Sequence, residues 1–255
     1  MVISFLGNIQ LGIDFVRLLF LLGQRTDFMF GGWFMKKLFS SIAVMAVLVL
    51  MLAACYRDTG ITIGIGPMVT QDFDVSSFSA IDVSGSYNII WRESSDVFVT
   101  IAAQENLLEN FDVTVRGETL YVEPHRSFSI TGGNTPRIYI YTPYLTGVSV
   151  NGSATIYDWD TIHSQNFSIN VQGSANITLN LDVESLDILL AGSGNFDITG
   201  NVATASVVLN GSGRVNIVAT DYLDIEINGS GSVRYTGNPT VTQRIAGIGT
   251  VQQAE

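Results

Sequence analysis

The chain has 255 residues and a net charge of −11, from 12 basic and 23 acidic residues. So few basic residues argue against nucleic-acid binding, which relies on Lys and Arg to neutralise phosphates. They also disfavour attachment to anionic lipid through a basic patch. The sequence has one cysteine, which excludes a disulfide within the chain.

The first feature in chain order is a secretory signal at residues 35–54. Met35-Lys36-Lys37 is basic, the run from Leu38 to Leu50 is apolar, and small residues follow. Because a membrane-spanning helix needs about 20 apolar residues, this shorter run is typical of a signal peptide. Residues 1–34 precede the signal, and we interpret them as an upstream extension with Met35 as the start of the protein.

The signal ends in Leu52-Ala53-Ala54-Cys55, which resembles the bacterial lipobox. The resemblance implies cleavage before Cys55 and acylation of that cysteine, for example with palmitate; a free thiol is the alternative. It therefore implies a lipoprotein attached to the membrane of the bacterial cell envelope. Tyr56 is not the aspartate that retains such proteins in the inner membrane, which favours the outer membrane, on its periplasmic or its surface side.

The mature chain, residues 55–255, contains eight arginines, no lysine and 21 acidic residues, a net charge of −13. Residues 55–72 are predicted to tether the lipid to a domain at 73–255. The stretch 60–67 fits either a flexible spacer or a weak first strand, because glycines weaken a strand.

From Phe73 onward apolar and polar residues alternate with period two, which is typical of half-buried β-strands. Residues 104–110 fit a short helical turn, and Arg116-Gly117-Glu118 fits a tight turn. Residues 127–136 contain Gly132-Gly133-Asn134 and are predicted to form an extended loop.

Gly-Ser pairs then recur along the chain at nearly constant spacing, with Gly-Ile in the last position. A regular period of about 20 residues indicates stacked structural repeats, and glycine suits corners that need a left-handed backbone. The predicted corner glycines are the first glycines of these pairs: Gly152, Gly173, Gly192, Gly211, Gly229 and Gly247.

Apolar residues occupy fixed positions around these glycines. The positions two and four before and four after the glycine are apolar throughout, except at Gln243. Like residues stacked on like form a continuous core, so we predict an all-β fold, a right-handed parallel β-helix (a solenoid) with about 18–21 residues per coil. Because Asn-Gly is also a strong hairpin signal, an antiparallel sandwich or meander is the alternative.

The chain resembles a family of bacterial envelope proteins, the autotransporter adhesin, head GIN domain family. The shared features are Phe78, Ile81, Val83 and Gly85, then Asn106-Leu107, then Pro143-Tyr144-Leu145, and finally the serial Gly-Ser pairs, in that order over residues 73–251. The resemblance implies a β-helix-like, adhesin-like domain with no established reaction.

Metal and cofactor chemistry finds little support in the sequence. The column five positions after the glycine contains one aspartate, Asp197, and one arginine, Arg234, so it is no calcium ladder. His125 and His163 lack partners at zinc-ligand spacing. We expect no cofactor and no metal, and we expect the repeated serines to bond backbone groups at the corners.

Two pairs of carboxylates keep an enzymatic alternative open. Asp158 with Asp160, and Asp182 with Glu184, place paired carboxylates on one face of a strand, as in a polysaccharide lyase or hydrolase. Exposed corner carboxylates are the simpler interpretation.

Arg214 and Arg234 fall in successive repeats near one corner. There they could form an anion site or simply be solvated side chains.

Aromatic residues give the best candidates for ligand contact. Tyr139, Tyr141, Tyr157 and Trp159 cluster around the first repeat, and exposed Tyr and Trp favour recognition of sugars and peptides. Capping of the solenoid core is the alternative. We therefore expect no catalytic residues but an adhesin-like or scaffold domain that binds a polysaccharide, another polymer or a protein; an envelope-stress or sensor partner is a third alternative.

Overall fold

The computed structural model describes residues 62–129 and 134–254. The predicted upstream extension, the signal peptide and Cys55 lie outside the described residues, as does the centre of the predicted loop at 127–136. The described part of the chain consists largely of β-strands, with a single short helix, which confirms the prediction of an all-β fold.

The elements fall into two groups, before and after the first of the predicted corner glycines. The first group comprises β1 (Thr62–Ile63), β2 (Met68–Asp74), β3 (Ala80–Glu93), β4 (Phe98–Gln104), α1 (Glu105–Leu108), β5 (Phe111–Arg116), β6 (Thr119–Pro124), β7 (Phe128–Ser129) and β8 (Arg137–Thr142). The second comprises β9 (Gly147–Asp158), which contains that glycine, the long β10 (Ile162–Val218), β11 (Tyr222–Gly229), β12 (Ser232–Thr236), β13 (Thr240–Gly247) and β14 (Thr250–Gln253).

The strands of the second group pair in parallel, with the register that the Gly-Ser spacing predicts. Ile169 of β10 lies opposite Val148 of β9, its counterpart in the preceding repeat. The pairs β10–β11, β10–β12, β11–β13 and β12–β14 are also parallel, and each is offset by one repeat. Because these strands pair in parallel, an antiparallel meander is excluded for them. The apolar residues of each repeat lie beside the equivalent residues of the next repeat.

The sheet as a whole is mixed, so the prediction of a purely parallel architecture is wrong for the first group. Strand β4 pairs antiparallel with both β2 and β8, and β5 pairs antiparallel with β6. The reason is visible at β5 and β6, where the tight turn at Gly117, with φ of +64°, reverses the chain at once. A parallel pair would need a longer crossover connection.

Strands begin inside the segment predicted as tether, residues 55–72. Thr62 and Ile63 pair with Phe128 and Ser129, so a short strand occupies the stretch for which the sequence left spacer and strand open. Strand β2 follows and pairs with β4 along its whole length.

The core lies between the strands as one continuous cluster, filled by the apolar columns. The column two positions before each glycine is almost fully buried. Its buried members are Val83, Val150, Val171, Leu190, Leu209 and Ile227. This column ends at the last strand of the sheet, where Ile245 of β13 is 40% exposed because β13 has no further strand beyond it. Gln243, four positions before Gly247, is exposed for the same reason.

Glycines stack directly on one another in a column that crosses the sheet. Each has a positive φ, between +133° and +154°, a backbone conformation that residues with a side chain rarely adopt. From Gly152 onward, an added Cβ would overlap the carbonyl oxygen of the glycine before it in the column. This glycine column comprises Gly85, Gly152, Gly173, Gly192, Gly211, Gly229 and Gly247.

We predict that Gly192→Ala destabilises the domain by about 2–4 kcal/mol, because it combines a disallowed φ with a backbone overlap at Gly173. Urea or thermal unfolding of the protein measures this loss. The control is Ser193→Ala at the exposed neighbouring position, which should stay within about 0.5 kcal/mol. Equal stability of the two variants would contradict the role given to the column.

Candidate functional site

A shallow groove of about 550 Å³ runs across four neighbouring strand segments on the outer face, directly beside the glycine column. Two rows of neutral polar side chains line it, one position and three positions after each glycine. We call these rows the polar strip. It comprises Ser86, Asn88, Ser153, Thr155, Ser174, Asn176, Ser193 and Asn195.

The rows arise from the strand pairing itself. Residue pairs Ser86–Ser153 and Ser153–Ser174 lie opposite each other in parallel register. Neighbouring strands lie about 4.8 Å apart, so the strip presents the same donors and acceptors at that interval. Asn195 donates an amide hydrogen to Asn176 Oδ1 at 3.1 Å, which links two members of the second row.

The serine hydroxyls face solvent and not the backbone. The four serines of the strip are exposed, and none has a side-chain hydrogen bond to another described residue. The serines of the strip therefore do not make the hydrogen bonds to backbone groups that the sequence predicted for the repeated serines. The serines alternate with buried residues such as Ala154 and Ala175, so they face outward and their hydroxyls remain available to a ligand.

Small residues form the floor of the strip over most of its length. Ala154, Ala175 and Gly194 line it between the two rows. At its first segment the floor is the buried Tyr87, whose hydroxyl donates to the Ser84 carbonyl at 2.9 Å. Burial, and secondarily the charge of Glu123, raises the pKa of Tyr87, so this phenol stays neutral.

The predicted ligand-contact aromatics lie on the same outer face, two positions further along the strands. Tyr139 and Tyr157 flank Ile90 of β3 in register, one on each side. Their neighbours Ile138, Ile140 and Ile156 point inward and are buried. The tyrosines therefore line the outside of the sheet and do not cap the core.

Trp159 and Arg92 complete this region. Trp159 is 54% exposed and its ring centroid lies 6.4 Å from that of Tyr139. The Arg92 guanidinium lies over the Trp159 ring, 5.5 Å from its centroid. Such a cation–π contact fixes the indole while leaving much of it free for a ligand.

Tyr141 belongs to the same face but is engaged by another ring. It stacks on Phe98 with centroids 4.2 Å apart and planes inclined by 13°. We call the whole group the aromatic patch. It comprises Phe98, Tyr139, Tyr141, Tyr157 and Trp159.

The carboxylates beside Trp159 hold backbone groups in place. Asp158 accepts the Asn180 N–H at 2.6 Å, and Asp160 accepts the Glu93 N–H at 3.2 Å. Asp160 also lies 3.9 Å from Arg92. Burial raises the pKa of Asp158, and the charge of Asp160 acts in the same direction, while the hydrogen bond from Asn180 opposes both.

The second predicted acidic pair is also partnered. His163 lies 3.2 Å from one oxygen of Asp182, and Asn201 donates to the other at 3.2 Å. Gln165 donates to Glu184 at 3.4 Å. Within residues 62–129 and 134–254, no group of three or more His, Cys, Asp or Glu side chains is arranged to hold a metal ion.

Reasoning from sequence missed Gly85-Ser86 as the first member of the glycine column. It is a Gly-Ser pair like the others, and Val83 precedes it at the same position as Val150. The stretch between this pair and Gly152 is much longer than the period of the other Gly-Ser pairs, so the spacing does not reveal it. Nor did the sequence indicate that Arg92 contacts Trp159.

Sequence comparison assigns the chain to a protein family. Residues 77–253 match the family described as "Putative auto-transporter adhesin, head GIN domain", and the chain belongs to it. No curated protein matches the chain in sequence. Among the described residues, no helix has the length and apolar character to span a membrane.

Crystal structures of other proteins share the fold, among them the following three. A "putative adhesin" from Bacteroides fragilis is 22% identical, with a TM-score of 0.63, over 75% of this chain and 99% of that one. A "putative lipid binding protein" from Parabacteroides distasonis is 21% identical, with a TM-score of 0.52, over 76% and 99%. A "putative adhesin" from Parabacteroides merdae is 20% identical, with a TM-score of 0.50, over 76% and 99%.

We predict that Asp158→Asn gains stability relative to the wild type as pH rises. A raised folded-state pKa means that the fold favours the protonated acid, and this contribution is lost as pH rises through that pKa. Asparagine stays neutral and its Oδ1 can still accept the Asn180 N–H.

Melting temperatures from pH 3 to pH 7 measure the difference. The exposed Asp187→Asn is the control, because its carboxylate has no side-chain partner among the described residues. A loss of stability in Asp158→Asn that grows towards pH 7 would refute the burial argument.

Proposed function

We propose that this protein is a non-catalytic, adhesin-like envelope protein that binds a linear polymer along the polar strip. The observation that carries the proposal is the repetition of the strip: serine with asparagine or threonine recurs in four neighbouring segments. A polymer with repeating units can form equivalent hydrogen bonds at each step. The strip is open and exposed, as binding to the side of a long chain requires.

The aromatic patch is the proposed second part of the binding face. Tyr157 follows Thr155 of the strip by two positions on the same side of β9. A polymer in the strip would therefore pass beside Tyr139, Tyr157 and Trp159. Exposed Tyr and Trp offer flat apolar surfaces that stack on sugar rings, with polar edges for hydrogen bonds.

The proposed architecture of residues 147–253 is a right-handed parallel β-helix with about 18–21 residues per coil. The support is the series of parallel pairings, each offset by one repeat, together with the glycine column. Such a solenoid would present each coil's serine and asparagine at one edge and so generate the strip.

The proposed attachment is a lipid on Cys55, with residues 35–54 as the removed signal, residues 1–34 as an upstream extension, and residues 55–72 leading into the domain. The lipobox sequence Leu52-Ala53-Ala54-Cys55 supports lipidation, and Tyr56 supports placement at the outer membrane. The lipid would hold the binding face at the cell envelope.

A carbohydrate-active enzyme is the second candidate, because the raised pKa of Asp158 is a property of a general acid. We favour binding, since both Asp158 and Asp160 already hold backbone N–H groups. Incubation with a glycan panel separates the two: reducing-end release that Asp158→Asn or Asp160→Asn abolishes would establish the enzyme.

We predict that Ser174→Tyr weakens polymer binding at least tenfold, or about 1.4 kcal/mol, because the tyrosine fills the middle of the strip. Binding of the protein to an array of envelope and extracellular polysaccharides measures the effect. The matched control is Ser206→Tyr, an outward position of β10 on the other side of the glycine column. If both variants bind as the wild type does, the strip is not the binding site.

We predict that cells expressing the full chain incorporate an alkynyl palmitate analogue into this protein, and that Cys55→Ser abolishes incorporation. The modified protein should fractionate with the outer membrane. Label retained in Cys55→Ser, or a wild-type protein without label, would disprove the lipid anchor.

A further inference from the structure

The second row of the polar strip changes its chemistry where the groove ends. Three positions after each glycine, the row reads Asn88, Thr155, Asn176 and Asn195 and then continues with Arg214. Ser232 lies opposite Arg214 in parallel register and extends the row further. A neutral row therefore becomes cationic on the same outer face.

A second hollow, of about 440 Å³, lies at this position. Arg214 and Arg234 line it together with neutral hydrogen-bonding side chains, and no acidic side chain contributes to its wall. Its remaining lining residues are Asn216, Ser232, Val233, Thr250 and Gln252.

The two arginines have no partner within the described residues. The ion pairs of that part of the chain are Arg92–Asp160 and His163–Asp182, and neither Arg214 nor Arg234 donates a side-chain hydrogen bond there. Both are exposed. In a chain with 23 acidic and 12 basic residues, two unpaired guanidinium groups in one hollow are available to an external anion.

The pairing register brings the two side chains towards the same point. Asn216 lies opposite Arg234, and Arg214 stands two positions before Asn216 on the neighbouring strand. From strand spacing and rise, the two Cα atoms are about 8 Å apart on the same face. Each guanidinium has a planar set of donors that fits a carboxylate, sulfate or phosphate.

We propose that Arg214 and Arg234 form an anion subsite at the end of the polar strip, and that the polymer is an acidic polysaccharide. This inference rests on the proposed function, because it places the anionic group on the same chain that lies in the strip. The serine and asparagine rows bind the sugar hydroxyls, and the two arginines bind the acidic substituent of a unit further along.

The lining of the strip and of the hollow favours a glycan over an acidic protein. Protein interfaces are enriched in aromatic residues, methionine and arginine, whereas apart from Arg214 and Arg234 the strip and the hollow consist mainly of Ser, Thr, Asn and Gln. Val233, the apolar residue of the hollow, is 1% exposed and so offers almost no surface. Hydroxyl groups of a sugar chain match this lining directly.

Binding to three polymers with one backbone tests the proposal: neutral dextran, carboxymethyl dextran and dextran sulfate of equal length, immobilised and measured at 150 mM NaCl. At that salt the Debye length is about 8 Å, which limits repulsion by the acidic surface. We expect both charged polymers to bind at least tenfold more tightly than dextran, and Arg214→Gln or Arg234→Gln to reduce that preference at least fivefold.

Arg244→Gln is the matched control, because it removes the same charge from an exposed residue of β13 opposite Glu226, away from the hollow. It should leave the preference unchanged. Poly-glutamate provides the protein arm. Arginine-dependent binding of poly-glutamate as tight as that of the charged dextrans would overturn the assignment to a polysaccharide.

The outcomes separate this inference from the proposed function. Charged dextrans that bind, lose binding in Ser174→Tyr and keep it in both arginine variants would retain the strip and overturn the anion subsite. Loss in the arginine variants with full binding in Ser174→Tyr would overturn the strip. An equal effect of Arg244→Gln, or no preference for charge, would also overturn the subsite.

Discussion

The fold depends on a backbone contact that only glycine permits. At each step of the glycine column, the carbonyl oxygen of one glycine occupies the space of a Cβ on the next. The positive φ at each position bends every strand at the same point along its length. Strands that bend together can continue to pair on both sides of the bend, so the apolar columns remain aligned and the core remains continuous.

The proposed binding face depends on the same alignment of strands. The alternation of each strand places the serine after the glycine, and an asparagine or threonine two positions later, on the same outward side. Small residues between these rows keep the strip shallow. The aromatic patch and the two arginines stand on further positions of this face, so one geometric rule aligns all three chemical regions.

The sequence predicts the part of the structure that repeats. The regular spacing of the Gly-Ser pairs identified the stacked columns, and the side-by-side register of Ile169 with Val148 bears this out. Position along the chain also placed Tyr139, Tyr157 and Trp159 in one region. The prediction of aligned columns succeeds because it depends on local alternation and on a constant period.

The sequence could not indicate contacts that depend on long insertions. Gly85 pairs with Gly152 although strands β4 to β8 lie between them in the sequence, and no period reveals such a pairing. The polar residues of β2 gave no sign of its antiparallel pairing with β4. The shared hollow of Arg214 and Arg234 depends on the register between strands. The sequence alone could not decide between an anion site and solvated side chains for these two residues.

The most direct test of polymer binding along the polar strip is the response of side-chain amides to a bound glycan. Nuclear magnetic resonance of the labelled domain, titrated with the polysaccharide that binds best in the array, reports on each asparagine separately. Binding along the polar strip predicts shifts at the amides of Asn88, Asn176 and Asn195, which line it. It predicts none at Asn210 or Asn228, which precede the glycines and hydrogen-bond to each other. Shifts confined to Asn210 and Asn228 would contradict it.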